Sequence, residues 1–305
     1  QGYLTRGSGL RARMPKTLFF VDVDGVLNVG MAQSSKSTLI LSQHNLILAQ
    51  RLMMDPDQEQ KAKEAAEAML CVAGHPLDGE PGCLQKYACS ASSLSDLLVE
   101  RLAKLILAAG DCHVVLSSSW RHERYRGRRV LLERKLGKFL GCMFSFHDVT
   151  RTDREERTPE ERLERIGDYL EEYCQKHAAS EQSVRVVVLD DFLLSPIRWF
   201  CGDQRIHCLD DLNQYLAERA GMHGVEAQVK TVHPYCETML STGKMRISIG
   251  IQPTMFFEVL KFFDDTANSS RLTSHQFADA GALMELTISR PSPVICACRP
   301  VILAL

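Results

Sequence analysis

Thr17–Asn28, TLFFVDVDGVLN, decides how the chain is read. The apolar run Leu18–Val21 has the texture of a buried strand. It delivers Asp22 and Asp24 at its C-terminal tip, with Gly25 directly after. Side chains two residues apart on a strand point to the same side. A strand over residues 17–23 therefore places both carboxylates together where it ends. Two like charges at the end of a buried strand are costly without a cation beside them, and they push one pKa up. A metal ion or phosphate chemistry relieves both costs. Ligands of open α/β sheets also bind at strand C-termini.

Outward from that stretch, strands and helices alternate. Residues 29–42 are polar or small and read as a loop or flap. Residues 44–72 read as helical, broken in two at Asp55-Pro56. Residues 74–92 read as a loop. Ser93–Ala109 keeps helical spacing in Leu94, Leu97, Leu98, Leu102 and Leu105 and stops at Gly110. His113–Leu116 reads as a second buried strand, ending in Ser117-Ser118-Ser119, and a basic helix follows over Trp120–Leu140. Thr158-Pro159-Glu160-Glu161 has the residues of a helix start, for a helix running to His177. Val184–Leu189 is a third core strand, ending in Asp190-Asp191. Gln204–Leu209 and Asp211–Arg219 follow as strand and helix. Continuous apolar strands alternating with helices predict a parallel sheet covered on both faces. After Gly221 the texture changes. Strands are expected at 225–232 and 245–251 and a helix at 254–263, without a chemical motif.

Composition bounds the function. The chain has 305 residues, 45% apolar and 24% charged, which is enough for a sizeable core and ordinary for a globular protein. A net charge of -2 gives no global attraction to nucleic acid or membrane. Eleven cysteines without a CxxC pair read as reduced thiols in a cytoplasmic or nuclear setting. The first apolar run carries Asp22 and Asp24, unlike a signal peptide. The terminal VICACRPVILAL is too short, and too broken by Arg299 and Pro300, for a membrane span. Residues 1–13 are rich in Gly and Arg and are expected to be a disordered tail.

Three strand tips thus carry polar groups: Asp22/Asp24, Ser117 and Asp190/Asp191. In DVDGVLN at 22–28, SSSWR at 117–121 and VVVLDD at 186–191, the sequence resembles the haloacid dehalogenase (HAD) superfamily of phosphohydrolases. It looks most like the group named for the HAD domain in Swiss Army Knife RNA repair proteins. The resemblance covers roughly residues 16–217. It implies an α/β fold, a three-layer Rossmann-like parallel sheet, over 14–220. A mostly helical cap-like insert at 29–92 would exclude water and select the substrate. Residues 221–305 are left as an extension, either a small α+β module or partly disordered.

The resemblance also implies roles. Asp22 would attack phosphorus to form an aspartyl-phosphate, and Asp24 would protonate the leaving oxygen and then activate water. Mg²⁺ would be held by Asp22, the Asp24 carbonyl and one or both of Asp190 and Asp191. Ser117 would hydrogen-bond the phosphoryl oxygens, with Ser118 as its alternative, and Gly25 would allow close backbone approach. The family needs a fixed cation, usually Lys. Arg162 is the best-placed candidate here, with Arg157, Arg165, Lys135 and Lys138 as rivals. Arg121 would take a supporting place near substrate. The substrate is expected to be a phosphomonoester, either a phosphorylated small molecule or a nucleic-acid end. The rival class is a phosphate- or RNA-binding protein that keeps the fold without turnover. The second acid, Asp24, argues against it.

Plainer readings stand beside these. Ser119 is expected to cap the next helix. The five arginines between Arg121 and Arg129 read as a solvated helix face before they read as a nucleic-acid contact. His75, His113, His147 and His207 lack metal-ligand spacing. Cys296 and Cys298 are too few for zinc, and Gly243-Lys244 lacks the rest of a phosphate-binding loop.

Overall fold

A computed structural model describes residues 16–32, 39, 41–73, 94–153, 158–180, 182–191, 199–201, 204–240 and 243–268. The tail at 1–13, the loop at 74–92, Arg157, His75, Cys296, Cys298 and the terminal apolar run lie outside the described residues. The described residues up to Thr266 form one compact unit. A second unit begins at Ala267, and only its first two residues are described.

The core is a parallel sheet. It contains β1 (Lys16–Val21), β3 (Cys112–Leu116), β4 (Asp148–Val149), β5 (Ser183–Leu189) and β8 (Glu226–Val232). Their order is β4-β3-β1-β5-β8, with every pair parallel. Period-two alternation splits β1 and β5 between two cores. Leu18, Phe20, Val186 and Val188 face a core completed by α5 (Pro159–His177) and α6 (Leu209–Gly221). Phe19, Val21, Val187 and Leu189 face the larger core. Helices α3 (Asp96–Ala109), α4 (Arg126–Leu140) and α7 (Pro253–Asn268) contribute to that one. The expected three-layer Rossmann-like α/β fold is therefore present, with both sheet faces covered.

Several helix ends follow their local chemistry. Ser95 and Thr158 accept the capping hydrogen bonds of α3 and α5, and Pro159 occupies the first turn of α5. The chain breaks after Met54 at Asp55, dividing α1 (Gln43–Met54) from α2 (Gln60–Ala73). The basic helix starts later than its composition predicts. Two single-turn 3₁₀ segments, Ser119–Arg121 and Glu123–Tyr125, come first, because His122 between them is extended.

The stretch at 29–42, read as a loop, contains a short strand, β2 (Gly30–Ala32). It pairs antiparallel with β10 (Gly243–Ser248), which pairs with β9 (Tyr235–Leu240). Helix α2 packs on α1 and against β9 and β10. The insert after β1 and the segment after Gly221 therefore build one piece, and β8 is a full strand of the main sheet. Further bonds tie this piece to the β1 turn. Gly250 N donates to Gly25 O at 3.1 Å, and Ile251 N to Val26 O at 3.2 Å. The short β6 (Trp199–Cys201) and β7 (Gln204–Ile206) form a separate antiparallel pair.

Candidate active site

Register places the site. Leu116, Val21 and Leu189 lie side by side across β3, β1 and β5. The next residue of each strand, Ser117, Asp22 and Asp190, therefore emerges in one row. The ladder continues one step past the strands. Ser117 N donates to Val21 O at 2.9 Å, Asp22 N to Leu189 O at 2.8 Å, and Asp190 N to Val232 O at 3.2 Å. Asp22, Asp190 and Asp191 each offer a carboxylate oxygen within 4.8 Å of the others, and all three residues are buried.

Arg162 closes this cluster from the first turns of α5. Its Nη1 donates to Asp22 Oδ2, and to Asp190 Oδ1 and Oδ2 at 2.9 and 3.1 Å. The other oxygen of Asp22 accepts from Val23 N at 2.7 Å, so both sides of that carboxylate are fixed. The described rivals sit elsewhere. Arg165 pairs with Asp153 at 2.5 Å, Lys135 pairs with Asp96 at 2.5 Å, and the Lys138 ammonium lies over Phe139.

Asp24 lies just past the end of β1. The strand stops at Val21, and a turn follows in which Val26 N and Leu27 N both return to Val23 O. Asp24 is not one of the three carboxylates grouped to share an ion, though the Asp22 charge acts on it. Its Oδ1 accepts from Asn28 Nδ2 at 2.9 Å, and its Oδ2 from the indole Nε1 of Trp120 at 3.1 Å. Gly25 occupies the tightest point. Its φ is +88°, and a Cβ there would lie 2.2 Å from Asp191 Oδ2.

The hydroxyls take different parts. Ser117 is buried, and its Oγ has no hydrogen-bond partner among the described residues. Ser118, the alternative phosphate ligand, caps the 3₁₀ turn by accepting from Trp120 N at 3.4 Å, one residue before the expected cap at Ser119. Arg121 is buried and braces the loop. It donates to the carbonyls of Ser117 at 3.1 Å, Ser118 at 2.8 Å and Arg151 at 3.3 Å.

Four residues near the site were not assigned from sequence. Ser248 Oγ donates to Asp191 Oδ2 at 2.7 Å, and the charge of Arg246 acts on the same carboxyl. Both come from β10, where no motif marks them. Asn28 holds Asp24 and also accepts from Gly25 N at 2.7 Å, so it locks the turn onto the acid. Trp120 reads as a packing aromatic until its N–H is placed. His113 and His147 behave as packing groups: their rings lie 4.7 Å apart, tilted by 32°, and His147 Nδ1 accepts from Val114 N.

The electrostatics favour an added cation. Burial pushes Asp191 up to about 7, aided by Asp22 and opposed by Arg246, Arg162 and the Ser248 hydroxyl. Burial likewise drives Asp190 up, against the pull of Arg162 and with the push of Asp22 and Asp191. Burial opposes the charge on Arg162, but the three carboxylates outweigh it and hold the guanidinium protonated. Three buried carboxylates face two guanidinium charges, Arg162 and Arg246, and burial still disfavours the ionised form of Asp190 and Asp191. Their all-oxygen donor set, with the Ser117 hydroxyl in the same row, fits a hard divalent ion such as Mg²⁺.

An all-parallel sheet with a buried aspartate at its central strand tip, an acid two residues later and a paired acid on the next strand defines the phosphohydrolase-type fold of the HAD superfamily. Within it, the chain belongs to the family described as the HAD domain in Swiss Army Knife RNA repair proteins, whose model matches residues 18–213. No curated protein and no solved structure matches the chain. No helix of the described residues is long and apolar enough to cross a membrane.

Proposed function

We propose that the protein is a Mg²⁺-dependent phosphatase that hydrolyses a phosphomonoester through an aspartyl-phosphate on Asp22. The observation that carries this reading is Asp22 in register with Asp190 and Ser117, with Arg162 bridging Asp22 and Asp190. The bridge and the Val23 N–H hold Asp22 as an oriented oxygen nucleophile. As the Asp22 oxygen bonds to phosphorus, the bond from phosphorus to the leaving oxygen breaks, and Asp24 delivers its proton to that oxygen. Asp24 then takes a proton from water as the water oxygen attacks phosphorus, which frees Asp22 and releases phosphate.

Asp24 suits the acid role. Burial raises its pKa, and the Asp22 charge adds to the effect, against hydrogen bonds from Asn28 and Trp120 and the charge of Arg128. Ser117 offers its hydroxyl to a phosphoryl oxygen, and Arg162 counters the charge that develops there. Asp22, Asp190 and Asp191 would hold Mg²⁺, which supplies Lewis-acid neutralisation of the anionic substrate. Arg121 acts as a brace under the Ser117 loop.

The family description, with its RNA repair context, favours a nucleic-acid end over a small metabolite as the carrier of the phosphate. Arg124, Arg126 and Arg128 on the 3₁₀ turn and α4 would meet its backbone. The test is phosphate release, with and without Mg²⁺, from an aryl phosphate, sugar phosphates and terminally phosphorylated RNA oligonucleotides. Mg²⁺-dependent release that is lost in Asp22→Asn is expected. Retained release in that variant rejects the assignment. Salt-sensitive RNA binding without turnover would point to the non-catalytic alternative.

A further inference from the structure

We propose that Trp120 is the positioning residue for Asp24: its indole N–H aims the carboxyl that protonates the leaving oxygen. The inference rests on the phosphatase reading and adds a residue to it. Trp120 Nε1 reaches Asp24 Oδ2 at 3.1 Å, while Asn28 holds Oδ1 at 2.9 Å. Asn28 is itself fixed by Gly25 N at 2.7 Å. The carboxyl group is thereby gripped at both oxygens.

The indole is held as firmly as the group it holds. Trp120 is 1% exposed, and its backbone N–H is tied to Ser118 Oγ. The Arg128 guanidinium lies 5.7 Å from the Trp120 ring centre and 5.2 Å from that of Tyr125. A packing tryptophan also needs a partner for its N–H, and a backbone carbonyl would serve. Here the partner is the one carboxyl that proton transfer must aim. An indole N–H is a donor only. It can orient Asp24 in either protonation state without taking the proton itself.

Alignment of the acid matters in proportion to the leaving group's need for a proton. As the Asp22–phosphorus bond forms and the old ester bond breaks, an alkoxide must be protonated to leave. A nitrophenolate leaves without help. Loss of the Trp120 N–H therefore affects alkyl phosphates more than nitrophenyl phosphate, whereas a merely structural role lowers both alike.

The experiment compares kcat/KM for an alkyl phosphate and for nitrophenyl phosphate, using the full chain with Mg²⁺. It uses the unsubstituted protein, Trp120→Phe, and a chain with benzothienylalanine at position 120, which keeps the shape and replaces N–H by sulfur. A hydrogen bond to a charged group implies a loss of roughly ten- to a hundredfold on the alkyl ester in both variants, with a much smaller loss on the nitrophenyl ester. Should Trp120→Phe fail to fold, the isosteric chain decides. Equal losses on the two esters, or no loss, overturn the inference while leaving the phosphatase reading intact. Absence of turnover by the unsubstituted protein overturns the reading on which it rests.

Discussion

Replacing Gly25 by alanine tests whether the strand tip, the turn and the β10 contribution form one metal-holding unit. Two costs follow from the structure. The first is backbone strain at φ +88°, about 1–2 kcal/mol for a residue with a Cβ. The second is crowding: the new Cβ would stand 2.2 Å from Asp191 Oδ2, 2.6 Å from its Cγ and 3.0 Å from Ser248 Cβ. Asp191 must move by roughly 1 Å to reach ordinary contact, which breaks its hydrogen bond from Ser248, worth about 1–2 kcal/mol for a carboxyl near its titration midpoint. Together these predict a loss of ~2–4 kcal/mol, or roughly 5–15 °C in melting temperature for a domain of this size. Because Asp191 is displaced from Asp22 and Asp190, Mg²⁺ affinity and phosphate release should also fall, each by about tenfold or more.

Gly110→Ala is the control for that variant. Gly110 has φ +72° with nothing within 4 Å of its would-be Cβ, so it carries the strain alone. Thermal unfolding and isothermal titration with Mg²⁺ on both variants separate the terms. Gly25→Ala with unaltered Mg²⁺ affinity, or Gly110→Ala with an equal loss of it, would refute the reasoning.

Arg162→Met removes the cation between Asp22 and Asp190. Urea unfolding at neutral pH without Mg²⁺ should show a loss near the lower end of ~3–5 kcal/mol, since a quarter of the Arg162 side chain is exposed, with partial recovery on adding Mg²⁺. Asp191 carries its proton up to about 7 in the folded chain against 3.8 for an ordinary aspartate. The metal-free fold thus binds more protons than the unfolded chain, and its contribution to stability is lost as pH rises through that window. Mg²⁺ must displace the proton, so its affinity should rise as pH rises toward about 7, with proton release visible as buffer-dependent binding heats. A chain ending at residue 220 loses Val232, Met245, Ile247, Ile251, Val259 and Phe263 from the larger core. At about 1.5–3 kcal/mol each, these six match or exceed a typical stability of ~5–15 kcal/mol, so circular dichroism should show no cooperative unfolding.

The sheet and the acidic row were legible because they are local signals. Apolar runs of strand length end directly in Asp22, Ser117 and Asp190, and parallel pairing turns that sequence coincidence into spatial adjacency. Arg162 was legible through its helix start, where Thr158 and Pro159 fix the first turn. The partners of Asp24, Asn28 and Trp120, were not, because strand alternation says nothing once the chain turns at Val23. The exchange of cap between Ser119 and Ser118 turns on one extended residue, His122, which composition does not mark. Least legible was the β10 contribution. Ser248 and Arg246 reach Asp191 through antiparallel pairing of β10 with β2, a long-range contact between two stretches that carry no motif.

The central claim is that the oxygen attacking phosphorus belongs to Asp22. Acid-quenching the protein during turnover of a phosphomonoester with Mg²⁺, then mapping the phosphorylated peptide by mass, tests it most directly. The account predicts one phosphoryl group on the peptide holding Asp22 and none in Asp22→Asn, which should still bind Mg²⁺ weakly through Asp190 and Asp191. A phosphoryl group on another residue, or unimpaired turnover by Asp22→Asn, would contradict it.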